Sequence, residues 1–206
     1  YWRERGVSVP IHVIPRAIDE RIFGRAGTRD PFDARTTRGA RLLVVCRHVR
    51  EKGVERLLEI LAEHVFRSNP ELTLTLVGDG PDHEAFVARA ELLGIADRCF
   101  FVGEQGLATM PDWYAHADLF LYTSLSETYG QVVSEALYAG VPVVALADGM
   151  GVEGQVSSGE DGVLVRHRAD ERDANAEFGA AVCALMNDPS QRRAYSERAR
   201  VLARQR

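Results

Sequence analysis

Two cations and two carboxylates carry the most chemical promise in this 206-residue chain. They are Arg47 and Lys52 in "CRHVREKGVERLL" (residues 46–58), and Glu127 and Glu135, eight apart, in "SETYGQVVSEALYAGVPVV" (residues 126–144). Arg offers a planar fork of donors and Lys a compact charge, a pair suited to a phosphate or diphosphate. The other reading is a solvated loop in which Arg47, Arg50, Glu51 and Lys52 make only local ion pairs. Gly130, Gln131 and Val132 fall where a helix is expected to start, and unpaired amides there favour an anion. On that helix Val132, Val133, Ala136, Leu137 and Ala139 form an apolar arc. Glu135 falls with Gln131, Ser134 and Tyr138 on the opposite face, so periodicity alone makes it an ordinary polar-face residue. Glu127 reads as a loop carboxylate of no consequence or as one that favours the helix dipole. In "LTLTLVGDGPDHEAF" (residues 72–86), Gly78, Asp79 and Gly80 lie between a strand and a helix. The dinucleotide fingerprint fails there, because His83 replaces the third glycine and Pro81 intrudes. A tight turn remains, one that lets backbone approach a ligand or a neighbouring loop.

The elements that must position these residues alternate along the chain. Apolar β-branched runs at 11–14, 42–47, 72–77, 99–102, 118–123, 143–146 and 163–165 read as strands. Helical periods are expected at 54–68, 82–93, 110–116, 131–139, 152–157, 175–186 and 190–204. Short connections and this alternation predict an α/β fold, an open, doubly wound parallel sheet with helices on both faces. Its ligands belong at the carboxyl ends of the strands. Residues 24–41 read as a surface connection and residues 166–175 as a charged linker.

Bulk properties narrow the functional classes. A net charge of −5 with interspersed signs gives no footprint for a nucleic-acid backbone. Cys46, Cys99 and Cys183 are odd in number, too far apart for a zinc pair and embedded in apolar segments, which reads as buried thiols of a reducing compartment. No apolar run is long enough to span a bilayer. The chain starts at Tyr1 in mid-pattern, as a piece of something longer would.

"SETYGQVVSEALYAGVPVV" resembles the carboxylate motif, Glu then seven residues then Glu, of retaining glycosyltransferases with the GT-B architecture, the large family-4 group. "VIPRAID" (residues 13–19) resembles the family's lead-in segment, "RHVREKG" its diphosphate-binding loop, "LVGDGP" its glycine turn and "FFVGEQG" its next strand and loop. The resemblance covers almost the whole chain. Three departures are the Arg16-Ala17 pair where Asn-Gly is common, Cys46 in place of a usual Gly, and Tyr129 in place of Phe.

The resemblance implies that this chain is a single nucleotide-sugar-binding domain, with a lead-in segment over about residues 1–10 and a terminal helix from about residue 190. It would be the carboxyl-terminal, donor-binding half of an enzyme whose amino-terminal acceptor domain is absent. Arg47 and Lys52 would then hold the diphosphate, Glu135 the ribose hydroxyls and Glu127 a hydroxyl of the transferred sugar. The amides of Tyr129, Gly130, Gln131 and Val132 would meet the sugar or the distal phosphate, Val102 and Gly103 would line the base, and Gly78 and Gly80 would form the turn beside it. No cofactor or metal is expected, because fixed cations and a helix dipole already oppose the diphosphate. Partners would be a nucleoside diphosphate sugar and, through the missing half, an acceptor glycan, lipid or small molecule; only that half would bring membrane association. A cytoplasmic location follows. Two alternatives stay open, a non-catalytic nucleotide-sugar-binding module and a nucleotide-sugar epimerase of the same architecture.

Overall fold

A computed structural model describes residues 4–6, 8–10, 17–25, 27–124, 127–166 and 170–205. The strand expected at 11–14 lies outside these residues. Six strands form one parallel sheet: β1 (Arg41–Val45), β2 (Thr73–Val77), β3 (Cys99–Phe101), β4 (Leu119–Tyr122), β5 (Val143–Leu146) and β6 (Gly162–Val165), in the order β3-β2-β1-β4-β5-β6. Both faces are covered, which is why the strands read as continuous apolar runs rather than alternating ones. Leu42 and Val44 of β1 pack into one core with Leu57, Leu58, Phe86 and Phe178, while Leu43 points to the other with Tyr114, Phe120, Val133 and Leu137. Thus α2 (Val54–Ile60), α3 (His83–Leu92) and α6 (Glu171–Asn187) cover one face. The opposite face is covered by α4 (Met110–His116), α5 (Gln131–Ala139) and α7 (Pro189–Ala203), with a one-turn helix, α1 (Glu20–Phe23), beside them.

Four expectations are corrected. The segment 152–157 is not a helix but a run of turns, because both carboxylate oxygens of Asp148 gather the amides of Met150, Val152 and Glu153. Strand β1 stops at Val45, so Cys46 and Arg47 belong to the following loop. The long helix expected over 54–68 is α-helical to Ile60 and then widens into a π turn, Leu61–Val65. The second half of the charged "linker" at 166–175 is the start of α6, whose cap Asp170 accepts from the Arg172 amide and whose first turn carries Glu171 and Asp173.

Strand order reverses between β1 and β4, which neighbour each other although β4 comes three strands later. In open α/β sheets that reversal opens a crevice at the carboxyl ends, because the following connections leave toward opposite faces. The loop after β1 carries Arg47 and Lys52; the loop after β4 carries Glu127 and Gly130. The fold therefore delivers both candidate stretches to one edge.

Candidate functional site

Gly53 lets the two loops meet. It adopts a left-handed φ of 69°, and a Cβ there would fall 2.6 Å from the Thr123 carbonyl oxygen. Thr123 Oγ1 donates to the carbonyl oxygens of Lys52 (3.2 Å) and Gly53 (3.0 Å), and Ser124 Oγ donates to that of Glu51 (3.3 Å). The 310 turn Arg50–Lys52 is thereby fastened to the end of β4. Across this junction Lys52 Nζ donates to Glu127 Oε1. The Tyr122 hydroxyl (2.6 Å) and Ser124 Oγ (3.1 Å) donate to the same oxygen. Among the described residues Oε2 has no hydrogen-bond partner, so one face of the carboxylate stays available. Burial pushes the Glu127 acid up, but the bonds from Lys52 and Tyr122 outweigh it and hold the group below the ordinary glutamate value.

Arg47 is exposed and makes no ion pair among the described residues. It precedes the Lys52 cluster on the same loop without joining it. Beside it, burial pushes the Cys46 thiol up to about 12, which favours its protonated form.

Helix α5 starts behind Glu127. Gly130, its N-cap, has φ 76° and no side chain caps the helix, so the first-turn amides of Gln131 and Val132 have no side-chain acceptor. The loop after β5 braces this turn: Gln155 Nε2 donates to the Tyr129 carbonyl and, at 3.2 Å, to that of Gly151. Ser134 Oγ donates to Gln155 Oε1. A Cβ on Gly151 would fall 2.5 Å from Tyr129 Cα, so residue 151 fixes where Tyr129 sits.

The polar-face reading that periodicity alone gives Glu135 is corrected. The residue does not sit on a solvated face; it is 6% exposed, and its Oε2 accepts from the fully buried Tyr114 hydroxyl of α4 at 2.9 Å. Helix α4 packs beside α5 and converts a position that periodicity calls polar into a buried one. Burial raises its acid above the ordinary value, and the Tyr114 bond offsets only part of that.

Gly78 and Gly80 serve a neighbouring loop. Their Cβ atoms would fall 1.9 Å from the Cys46 oxygen and 2.4 Å from the His48 oxygen, so only glycine lets the β2 loop lie against the β1 loop. Val102 and Gly103 follow β3 on the same edge, where the Gly78 amide donates to the Gly103 carbonyl at 2.9 Å. The structure thus joins Lys52 to Glu127, places the glycines and Val102 along that edge, and sets Glu135 back against α4.

Tyr122, Ser124, Tyr114 and Gln155 carry much of the geometry and were not singled out in the sequence. For the first two a signal existed, since polar residues at the carboxyl end of a buried strand belong to the binding edge. Tyr114 and Gln155 act across 21 and 26 residues of chain and left no local pattern. One metal-ligating combination occurs among the described residues, His48 with Asp79 and His83. The cavity of about 620 Å³ lies elsewhere, between α1, α5 and the end of α7; it touches Tyr129 but none of Arg47, Lys52, Glu127 or Glu135. Arg47, Lys52 and Glu127 line an open sheet edge, where a single domain encloses little volume, while Glu135 is buried behind it.

Comparison with known proteins identifies the family. The family model described as glycosyl transferases group 1 matches residues 30–202. The D-inositol 3-phosphate glycosyltransferase of Segniliparus rotundus is 37% identical over 147 residues, 69% of this chain and 31% of that protein. The enzyme of the same name from Kribbella flavida is 31% identical over 196 residues, 88% of this chain and 44% of that protein. The chain thus spans less than half the length of these relatives. Among solved structures, Anabaena HepE in complex with UDP and glucose matches with a TM-score of 0.70 and 26% identity, over 82% of this chain and 44% of that one.

Proposed function

The chain belongs to the glycosyl transferases group 1 family, and from that premise we propose that its strand-end edge is the donor site of a retaining glycosyltransferase. It would bind a nucleoside diphosphate sugar whose sugar passes to an acceptor hydroxyl held by a further, amino-terminal half. The observation that carries the reading is the Lys52–Glu127 pair across the sheet's switch point, beside an uncapped helix start. A negative ligand meets Lys52, the exposed Arg47 and the amides of Gly130, Gln131 and Val132, and no divalent metal is needed to balance its charge. Charge grows on the departing diphosphate, so these groups act more strongly in the transition state than on the bound donor.

The two carboxylates divide the remaining contacts. Glu127 keeps Oε2 for a sugar hydroxyl, while Oε1 stays engaged with Lys52, Tyr122 and Ser124. Glu135, oriented by Tyr114, accepts from the ribose hydroxyls. Val102 and Gly103 border the base. HepE's complex with UDP and glucose supports uridine diphosphate as the first probe.

Calorimetric titration of the chain with uridine, guanosine and adenosine diphosphates, in chelator-containing buffer, tests this. Saturable binding of at least one is expected, weakened about 10- to 100-fold by Lys52→Ala, the usual effect of losing a hydrogen bond to a charged group. Failure of all three nucleotides to bind, or an unchanged affinity in Lys52→Ala, would overturn the assignment.

A further inference from the structure

Outside the Lys52–Glu127 cluster, three more side chains converge between the β1 and β2 loops. His48 is fully buried, and its Nδ1 lies 2.9 Å from Nδ1 of His83. Asp79 Oδ1 stands 3.6 Å from that same His83 nitrogen, and the three ligand-type atoms fall within 4.8 Å of one another. Two facing imidazole nitrogens are joined either by one shared proton or by a metal. Metal–nitrogen bonds of about 2.0–2.1 Å span about 2.9 Å at a right angle and about 3.4 Å at the tetrahedral angle. The two ring centroids are 5.1 Å apart and the ring planes 18° from parallel, so the nitrogens face each other nearly head-on. An ion seats between them once the partly exposed His83 ring turns to aim its nitrogen off that line. We infer that His48, Asp79 and His83 form a binding site for a divalent transition metal of the zinc class.

Ligand chemistry sets that class. Two imidazoles and one carboxylate suit zinc, cobalt, nickel or copper, whereas magnesium and calcium take oxygen ligands throughout. The backbone already holds the ligands in place. The His48 amide donates to the Asp79 carbonyl at 2.8 Å, the Asp82 amide to the His48 carbonyl at 3.1 Å, and the His83 amide to the Gly80 carbonyl at 3.1 Å. Asp79 Oδ1 also accepts from the Gly80 amide at 2.7 Å, which orients the carboxylate. The side chains of Asp79 and His83 are 61% and 30% exposed, which gives the ion a path in and leaves room for water in a remaining coordination position. His48 Nε2 has no hydrogen-bond partner among the described residues. A ligand histidine usually has one, so affinity is expected to be about 10- to 100-fold below that of a fully supported site.

Such an ion clamps the β1 loop to the β2 loop. Because His48 lies between Arg47 and Lys52, it also fixes the loop that carries both cations; that consequence rests on the donor reading, whereas the metal site does not.

Metal-stripped chain titrated with Zn²⁺, and with Co²⁺ as a spectroscopic substitute, tests the inference without any nucleotide present. One equivalent of each is expected to saturate the chain, with visible Co²⁺ ligand-field bands and a melting temperature that rises with Zn²⁺ and not with Mg²⁺. His83→Ala, at the partly exposed first residue of α3, is expected to abolish the Co²⁺ bands, and His64→Ala to keep them. Absence of saturable Zn²⁺ binding, or an unchanged Co²⁺ spectrum in His83→Ala, would overturn it. Neither result depends on whether nucleotides bind.

Discussion

Three donors, from the β1 loop, the end of β4 and the loop after it, share one oxygen of Glu127, and this fixes what the carboxylate can do. Held below the ordinary value of 4.5, it stays ionised near neutrality and acts as an acceptor. Its contribution to stability is present above pH 4.5 and is lost as the pH falls through the lowered folded value. Glu127→Gln removes a negative charge from beside the diphosphate and releases Lys52. Affinity for uridine diphosphate is expected to stay unchanged or tighten by up to about fivefold, on the order of 1 kcal/mol. The added affinity of a sugar-bearing donor over the bare diphosphate is expected to disappear; calorimetry with both ligands reads the difference, and a large loss of diphosphate affinity would contradict the division of roles. Glu135 has the opposite sign. Its folded value is raised, chiefly by burial, so its contribution is fullest below pH 4.5 and is lost as the pH rises through the raised folded value. Glu135→Gln keeps an oxygen for the Tyr114 hydroxyl while removing the buried charge. Its melting temperature relative to the parent is expected to be higher at pH 7 than at pH 4, while nucleotide affinity falls. An equal difference in melting temperature at both values would show that charge burial is not the cause. The motif was legible as two glutamates eight apart. Their environments were not, because a wheel drawn on one helix cannot see Tyr114 on the next.

The 310 turn and helix start after β1 work only because glycine stands between them. Gly53→Ala would force a left-handed φ of 69° on a residue with a Cβ and drive that Cβ toward the Thr123 carbonyl oxygen. Left-handed strain alone costs roughly 1–2 kcal/mol, which in a chain of this size lowers the melting temperature by several degrees. The clash adds a displacement of the Arg50–Lys52 turn, so nucleotide affinity is expected to fall together with stability. Gly39→Ala supplies the control: its φ is 90° but nothing lies within 4 Å of the added Cβ. It should cost stability and leave affinity intact, and an affinity loss equal to that of Gly53→Ala would mean that strain rather than loop contact is being measured. At this scale the sequence was largely readable. Buried parallel strands are continuous apolar runs, and helices such as α5 end at glycines such as Gly140. The failures have local causes. Asp148 diverts the amides of Met150, Val152 and Glu153 into turns through its own carboxylate. Asp170 caps a charged stretch that composition alone reads as linker, because exposed first-turn acids look the same in both.

For the whole molecule, the decisive feature is that β1 and β4 touch at the point where the strand order reverses, so the site is assembled from both halves of the sheet. Lys52 with Glu127, and the Thr123 and Ser124 hydroxyls with the 51–53 carbonyls, already tie the halves together. A nucleoside diphosphate that contacts both loops adds a bridge whose effect differs with distance from the site. Global unfolding is suppressed everywhere by mass action, about 2.7 kcal/mol at a ligand concentration 100 times the dissociation constant. Local openings are suppressed only where the ligand must leave before the backbone can open. Hydrogen exchange with and without saturating uridine diphosphate separates the two contributions. Slower exchange is expected first in residues 46–53 and 127–135, at openings too small to expose the core. Residues 162–165 and 171–187, of β6 and α6, should slow only at the level of global unfolding. Protection centred instead on Glu20, Tyr138 and Arg204 would place the ligand in the cavity between α1, α5 and α7 and remove the case for the strand-end edge. The His48, Asp79 and His83 cluster offers a further contrast within the same experiment: Zn²⁺ should protect residues 46–49 and 79–83 and leave 127–135 unchanged, because its clamp joins β1 to β2 on one side of the reversal only.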